Sequence, residues 1–98
     1  MKLKFLIEIS FILKNGEKDK RIVCGVKADY LMKNFNNLNL VHQDIIIKTQ
    51  TGNFIFKVKK IDVFSSISGS FNIGFTLYDN ANFHFLNVGD KIYNIINL

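Results

Sequence analysis

Apolar and polar residues alternate along most of this 98-residue chain. In the first segment, alternate positions are apolar, and they are Phe5, Ile7, Ile9, Phe11 and Leu13. A period of two places successive side chains on opposite faces of an extended chain, so these residues are predicted to form the buried face of one long strand. The polar turn NGEKDK and the segment RIVCGVK then predict an antiparallel partner strand. The chain is therefore expected to open with a hairpin.

A single segment has helical spacing. Leu31, Met32, Phe35 and Leu38 recur at this spacing, and Asp29 is the expected N-cap. The asparagine-rich stretch KNFNNLN has poor helix propensity, which predicts about two turns, near residues 29–37.

Strand patterns return from Val41 onward, in the segments VHQDIIIKT, FIFKVKKIDVF, FNIGFTL, FHFLN and KIYNIINL. The apolar positions of the second segment change parity at Lys59 and Lys60, which predicts a β-bulge or a sharp bend. Gly89 and Asp90 are expected to form a tight hairpin turn between the last two strands. These patterns predict an all-β, mainly antiparallel fold, a six- to seven-stranded barrel or sandwich with one short helix, as a single domain over residues 1–98.

Composition and charge bear on the source and the compartment. The chain is rich in Ile, Lys, Asn and Phe, has no Pro or Trp and has Arg21 as its sole arginine, as an AT-rich bacterial or phage genome would produce. Cys24 has no second cysteine to pair with, which favours the reducing cytoplasm. Glu8 interrupts the apolar run after Lys2 and Lys4, and no small-residue cleavage site follows, so we expect neither export nor a membrane span.

The C-terminal third resembles the opening half of the domain 2 β-barrel of translation elongation factors of the elongation factor Tu type. The matching positions are Val63, Phe64, Ser65, Ile67, Gly69, Ile73, Val88, Gly89, Asp90 and Ile92. The family's Arg-Gly-Thr is replaced by residues 70–72, Ser-Phe-Asn, and the chain has no phosphate-binding Gly-x-x-x-x-Gly-Lys loop. The resemblance covers residues 63–95 and implies a barrel-like fold and a link to translation, without GTPase activity.

Candidate catalytic chemistry is sparse. Cys24 is expected to be a small core residue, because His42 and His84 lie far from it in sequence and no nucleophile signature surrounds them. The two histidines and the scattered carboxylates lack metal-ligand spacing. We therefore predict a non-enzymatic protein with no cofactor and no metal.

Two sets of residues are candidates for binding a partner. Lys57, Lys59 and Lys60 lie among Phe54, Phe56 and Phe64, a pattern that suits either a nucleic-acid surface or an edge strand protected by lysines. Apolar residues also occupy positions that should face solvent, and they are Leu6, Ile12, Ile46, Ile55, Tyr93 and Ile95. Such residues indicate contact with a protein partner or a second copy, unless the helix and loops cover them.

From these sets we predict a protein-binding module, an inhibitor or an accessory subunit, that uses an apolar sheet face or edge rimmed by lysines. Its candidate contact residues are Lys57, Lys59, Lys60, Leu6, Ile12, Tyr93 and Ile95. The alternative is an RNA- or ribosome-binding barrel, which the net charge of +5 and the resemblance to translation factors both favour.

Overall fold

The computed structural model describes residues 2–13, 20–35, 39–65 and 70–96. Within them the chain forms seven strands: β1 (Lys2–Glu8), β2 (Phe11–Leu13), β3 (Lys20–Val26), β4 (Asp44–Lys48), β5 (Asn53–Ser65), β6 (Phe71–Leu77) and β7 (Lys91–Ile96). One helix, α1 (Ala28–Phe35), follows β3, and a single 3-10 turn at Phe83–Phe85 lies between β6 and β7. The predicted all-β fold with one short helix is confirmed.

The sheet closes on itself through its first strand segment. The strand order is β1-β7-β4-β5-β6-β3-β2, and every pair is antiparallel. β1 and β2 stand at opposite ends of this order, yet only Ile9 and Ser10 separate them in the chain. One continuous segment thus pairs with β7 through its first half and with β3 through its second half, which gives the sheet the form of a barrel.

Backbone hydrogen bonds hold the point where this segment changes partner. The Ile9 N–H donates to the Asp90 carbonyl over 2.9 Å, and the Gly89 N–H donates to the Ile9 carbonyl over 2.8 Å. Ser10, the next residue, binds β3 instead, because its N–H donates to the Val23 carbonyl over 2.8 Å. We call Ile9 and Ser10 the partner switch.

The alternation of the first segment predicts that one face stays buried throughout, and the structure differs from this prediction. The register pairs Phe5 with Tyr93 and Ile7 with Ile92, so Leu6 is the extra residue of a bulge. Leu6 and Ile7 are both buried, and Phe5 is exposed. Parity changes again across the partner switch, which leaves Phe11 and Leu13 exposed as well. The predicted inward positions of Phe5, Phe11 and Leu13 are therefore wrong.

The bulge predicted in β5 is confirmed. Val58 pairs with Leu77 and Lys60 pairs with Thr76, so Lys59 is the extra residue. Residues before the bulge pair with β4, and residues from Val58 onward pair with β6. A bulge bends a strand and increases its twist. This 13-residue strand therefore belongs to both halves of the barrel, the half that contains β1, β7 and β4 and the half that contains β6, β3 and β2.

The segment FHFLN is not the strand that was predicted. Phe83 and Leu86, three residues apart, are both buried, and residues three apart share a face of a 3-10 turn. Gly89 and Asp90 consequently form a turn into β7 and not a hairpin between two strands. Gly89 has φ 97°, and the Asp90 carboxylate accepts a hydrogen bond from the Asn87 N–H over 2.7 Å.

The helix begins slightly earlier than predicted. Asp29 lies in the first turn and is not the N-cap, since the Leu31 N–H already donates to the Lys27 carbonyl over 2.9 Å. Tyr30, Leu31 and Phe35 pack against the core. The predicted end near residues 36–37 lies outside the described residues, as do most of the turn NGEKDK and of the corner SSISGS.

The core is one hydrophobic cluster to which every strand except β2 contributes a buried side chain. Its members with no exposed surface are Ile22, Cys24, Ile45, Ile47, Phe56, Val58, Phe75, Leu86 and Ile92. Because the inward side chains of both halves of the barrel meet in this cluster, the interior is occupied by the protein's own residues.

We predict that Gly89→Ala lowers the free energy of unfolding by about 1–2 kcal/mol, since a side chain is disfavoured at positive φ. Urea unfolding followed by circular dichroism measures this change. The matched control is Gly25→Ala, where a Cβ atom would make an ordinary contact 3.6 Å from the Ser10 Oγ and φ is outside the left-handed region. The control should change stability by less than about 0.5 kcal/mol in either direction. Equal effects at the two glycines would contradict the assigned turn.

Candidate functional site

The outer face of the barrel carries a row of apolar side chains across four neighbouring strands. The register places Phe5 opposite Tyr93, Tyr93 opposite Ile46, and Ile46 opposite Ile55. Residues that precede or follow them in the same strands, such as Ile45 and Phe56, point into the core. Since successive side chains in a strand face opposite sides, these four residues face outward. We call Phe5, Tyr93, Ile46 and Ile55 the outer apolar row.

The two ends of the outer apolar row are open to solvent, whereas its centre is packed. Phe5 is 44% exposed and Ile55 is 55% exposed, but Ile46 between Tyr93 and Ile55 is only 6% exposed. The rings of Phe5 and Tyr93 meet edge to face with centroids 5.6 Å apart. The row is thus an ordered surface whose side chains already hold one another in place.

Charged side chains border the row on both sides. Lys48 and Lys91 are cross-strand neighbours along one side, and the Lys48 Nζ lies 4.4 Å from the centroid of the Tyr93 ring. Lys57 pairs across strands with Asp44 along the other side, and Glu8 pairs with Lys91 at the β1 end. All of these charged residues are exposed. The border therefore holds more lysines than carboxylates.

The structure places only part of the predicted contact set on this surface. Tyr93 belongs to the row, Ile95 is half-buried on the same side of β7, and Lys57 lies on its border. Leu6 is 1% exposed because the bulge turns it inward, so its predicted outward position is wrong. Ile12 pairs with the buried Ile22 and packs against the core, so its predicted outward position is also wrong.

The three predicted lysines do not share one strand pairing. Lys57 lies beside β4, Lys59 is the bulge residue, and Lys60 lies beside β6 with its Nζ 3.7 Å from the Asp62 Oδ1. Their aromatic neighbours also separate. Phe56 is in the core, whereas Phe54 stacks on Phe85 with centroids 5.3 Å apart. The segment is therefore not one continuous basic and aromatic surface.

Sequence reasoning did not identify the arrangement around Arg21. Its guanidinium lies across Gly74, where a Cβ atom would be 2.5 Å from the Arg21 Nη2. The same group is 3.6 Å from the Asp62 carboxylate and 5.6 Å from the centroid of the exposed Phe64 ring. The register of β3, β6 and β5 brings these residues together, and nothing in the local sequence signals that register. The arrangement links side chains from β3 and β5 across the backbone of β6.

The predicted core position of Cys24 is confirmed. Cys24 has no exposed surface, and burial raises the pKa of its thiol from the ordinary value of 9.0 to about 12. A hydrogen bond with the Ser10 backbone acts in the opposite direction but is the smaller effect. The thiol therefore stays protonated near neutral pH and is not accessible in the folded protein.

The histidines and carboxylates do not form a recognisable metal site in the part of the chain that the structure describes. No group of three His, Cys, Asp or Glu side chains there could hold a metal ion. The His42 Nδ1 instead shares a 2.8 Å hydrogen bond with the Tyr78 hydroxyl, and His84 packs against Phe85. Over the same residues, none of the helices has the length and apolar character needed to cross a lipid bilayer.

The raised pKa of Cys24 predicts a specific pH dependence of stability. Between pH 9 and pH 12 the thiol loses its proton in the unfolded chain and keeps it in the folded chain, so rising pH favours unfolding in this window. The free energy of unfolding of the wild type should fall more steeply over this window than that of Cys24→Ala. Urea titrations from pH 7 to pH 11.5 measure both slopes, and parallel curves would contradict the assigned environment of the thiol.

The chain matches no protein-family model, and no curated protein and no solved structure shows significant similarity to it. The resemblance of residues 63–95 to the elongation factor barrel therefore stays a prediction.

Proposed function

We propose that this protein is a non-enzymatic binding module that contacts a protein partner through the outer apolar row. The observation that carries the proposal is the placement of four large apolar side chains in register on the outside of a barrel whose interior is already filled. Apolar residues in excess of those needed for the core are typical of a contact surface.

The border of the row specifies the chemistry of the partner. Lys48, Lys57 and Lys91 favour a partner whose own apolar patch is edged by carboxylates. A second copy on this face would bring the same lysine-rich border against itself, and each copy carries a net charge of +5. Charge complementarity therefore favours a different, acidic protein over self-association through this face.

Such a contact suits an inhibitor or an accessory subunit. The packed centre at Ile46 and the ordered pair of Phe5 and Tyr93 lose little conformational freedom on binding, and the exposed ends supply new apolar burial. Covering this row would place the barrel over a surface of the partner and block access to it. The single cysteine accords with a cytoplasmic location, and the composition accords with a bacterial or phage gene.

The test is a matched pair of lysine substitutions on the outer face of β5. Ile55→Lys places a charge at the open end of the row, and Asn53→Lys places the same charge two residues away on the border, opposite Lys48. Both positions are exposed, so each variant should keep its unfolding free energy within about 0.5 kcal/mol of the wild type. Tagged proteins are used to capture partners from a lysate of the source organism, and each captured protein is then purified and titrated.

We expect Ile55→Lys to weaken binding of the captured protein at least about tenfold, because an apolar contact is replaced by a charge. Asn53→Lys should weaken it less than about threefold. Equal binding by the wild type and Ile55→Lys would overturn the proposal. So would a capture that disappears after nuclease treatment and falls steeply between about 50 and about 200 mM salt, which is the result expected for the RNA-binding alternative.

A further inference from the structure

The barrel wall has a gap between β1 and β3. Around Ser10 the two segments are joined, since the Ser10 Oγ also accepts a hydrogen bond from the Gly25 N–H over 3.0 Å. On the N-terminal side of Ser10, β1 pairs with β7 along one edge. No strand among the described residues pairs with the other edge of β1. β3 leads into α1 instead, and the Tyr30 hydroxyl donates a hydrogen bond across the gap to the Leu6 carbonyl.

An open groove of about 350 Å³ lies over this gap. Its apolar lining includes Phe5 and Ile7 from β1, Val26 from the end of β3, and the ring of Tyr30 from α1. The volume is at the lower end of the range for ligand pockets and is sufficient for one large side chain. Because the hydrogen bond of Tyr30 fixes α1 to β1, the two walls of the groove are held at a set spacing.

Carboxylates outnumber lysines among the charged residues that line the groove, whereas lysines predominate in the chain as a whole. Glu8 and Asp29 line it and are exposed, and Lys27 is its sole lysine among the lining residues described. The whole chain carries 13 Lys and Arg against 8 Asp and Glu. A ligand with a positive charge beside its apolar group therefore matches the groove, although it does not match the protein as a whole.

We propose that this groove is an anchor site for a peptide segment of a protein partner, in which an aromatic side chain enters between Phe5 and Tyr30 and an adjacent lysine or arginine lies against Glu8 and Asp29. Phe5 also forms the end of the outer apolar row, so the groove and the row meet at this residue. The inference deepens the proposed function, on which it rests for the existence of a protein partner. Concave sites that take an aromatic anchor are frequent sources of binding energy at protein interfaces.

The test uses three acetylated and amidated pentapeptides, Ser-Lys-Phe-Lys-Ser, Ser-Glu-Phe-Glu-Ser and Ser-Lys-Ala-Lys-Ser. Each is titrated to about 5 mM into the full ¹⁵N-labelled chain, and amide chemical shifts report the location and the affinity. We expect the first peptide to shift the amides of Ile7, Gly25 and Tyr30, and to bind at least about fivefold more tightly than either of the others. Non-specific attraction to a basic protein would give the opposite order for the first two peptides.

Two protein variants locate the charge effect. Glu8→Gln combined with Asp29→Asn should remove the preference for the lysine peptide over the glutamate peptide, and Asp44→Asn, an exposed carboxylate on the other side of the outer apolar row, should leave it unchanged. Four results would each overturn the inference. They are tighter binding of the glutamate peptide, equal binding of the phenylalanine and alanine peptides, chemical-shift changes away from the groove, and no binding of the first peptide.

This experiment separates the groove from the outer apolar row. Ile55→Lys lies three strands away from β1 and should not alter binding of the first peptide. Normal peptide binding together with unchanged partner capture by Ile55→Lys would contradict the proposed function alone. Loss of partner capture by Ile55→Lys without any peptide binding would contradict the groove alone.

Discussion

The partner switch is the constraint on which the rest of the fold depends. Both backbone groups of Ile9 bind the turn at Gly89 and Asp90, and the next amide, that of Ser10, binds β3. With these bonds in place, one chain segment supplies both terminal strands of the sheet, β1 and β2. Most strand edges are therefore paired within the barrel. The bulges at Leu6 and Lys59 supply the local bends that let straight strands follow a closed path.

Closure also determines where this protein is able to bind a partner. A small barrel fills its interior with its own side chains, so any recognition has to use the outside of the wall or a gap in it. The outer apolar row uses the wall, and the groove beside Tyr30 uses the gap that remains where β1 leaves β3. Phe5 connects the two because the bulge at Leu6 turns it outward. The same irregularity that helps to close the barrel therefore exposes an aromatic ring at the junction.

Several of these features follow directly from the sequence, and others require the assembled sheet. The bulge at Lys59 was predictable because charged residues interrupt the apolar alternation there. The bulge at Leu6 was not, since Leu6 and Ile7 are both apolar and either could face inward. The three-residue spacing of Phe83 and Leu86 is compatible with a 3-10 turn. The alternation of Phe83 and Phe85 favours a strand over the same residues, so the sequence pattern predicts the wrong element. The sequence reveals the outer apolar row only in part, because Ile46, Ile55 and Tyr93 stand out as surplus apolar residues whereas the alternation assigns Phe5 to the core. The groove joins residues from three elements that only the fold brings together.

Amide hydrogen exchange at the partner switch tests this account most directly. If closure of the barrel depends on Ile9 and Ser10, their amides should exchange only when the whole domain unfolds, as slowly as the amide of Phe75 in β6, a strand that is paired on both sides. Residue-resolved exchange by NMR under native conditions measures this protection, and agreement of the three opening free energies within about 1 kcal/mol is the expected result. Exchange at Ile9 and Ser10 as rapid as at the exposed Val88 would mean that the segment is open at this point and that the barrel does not close there.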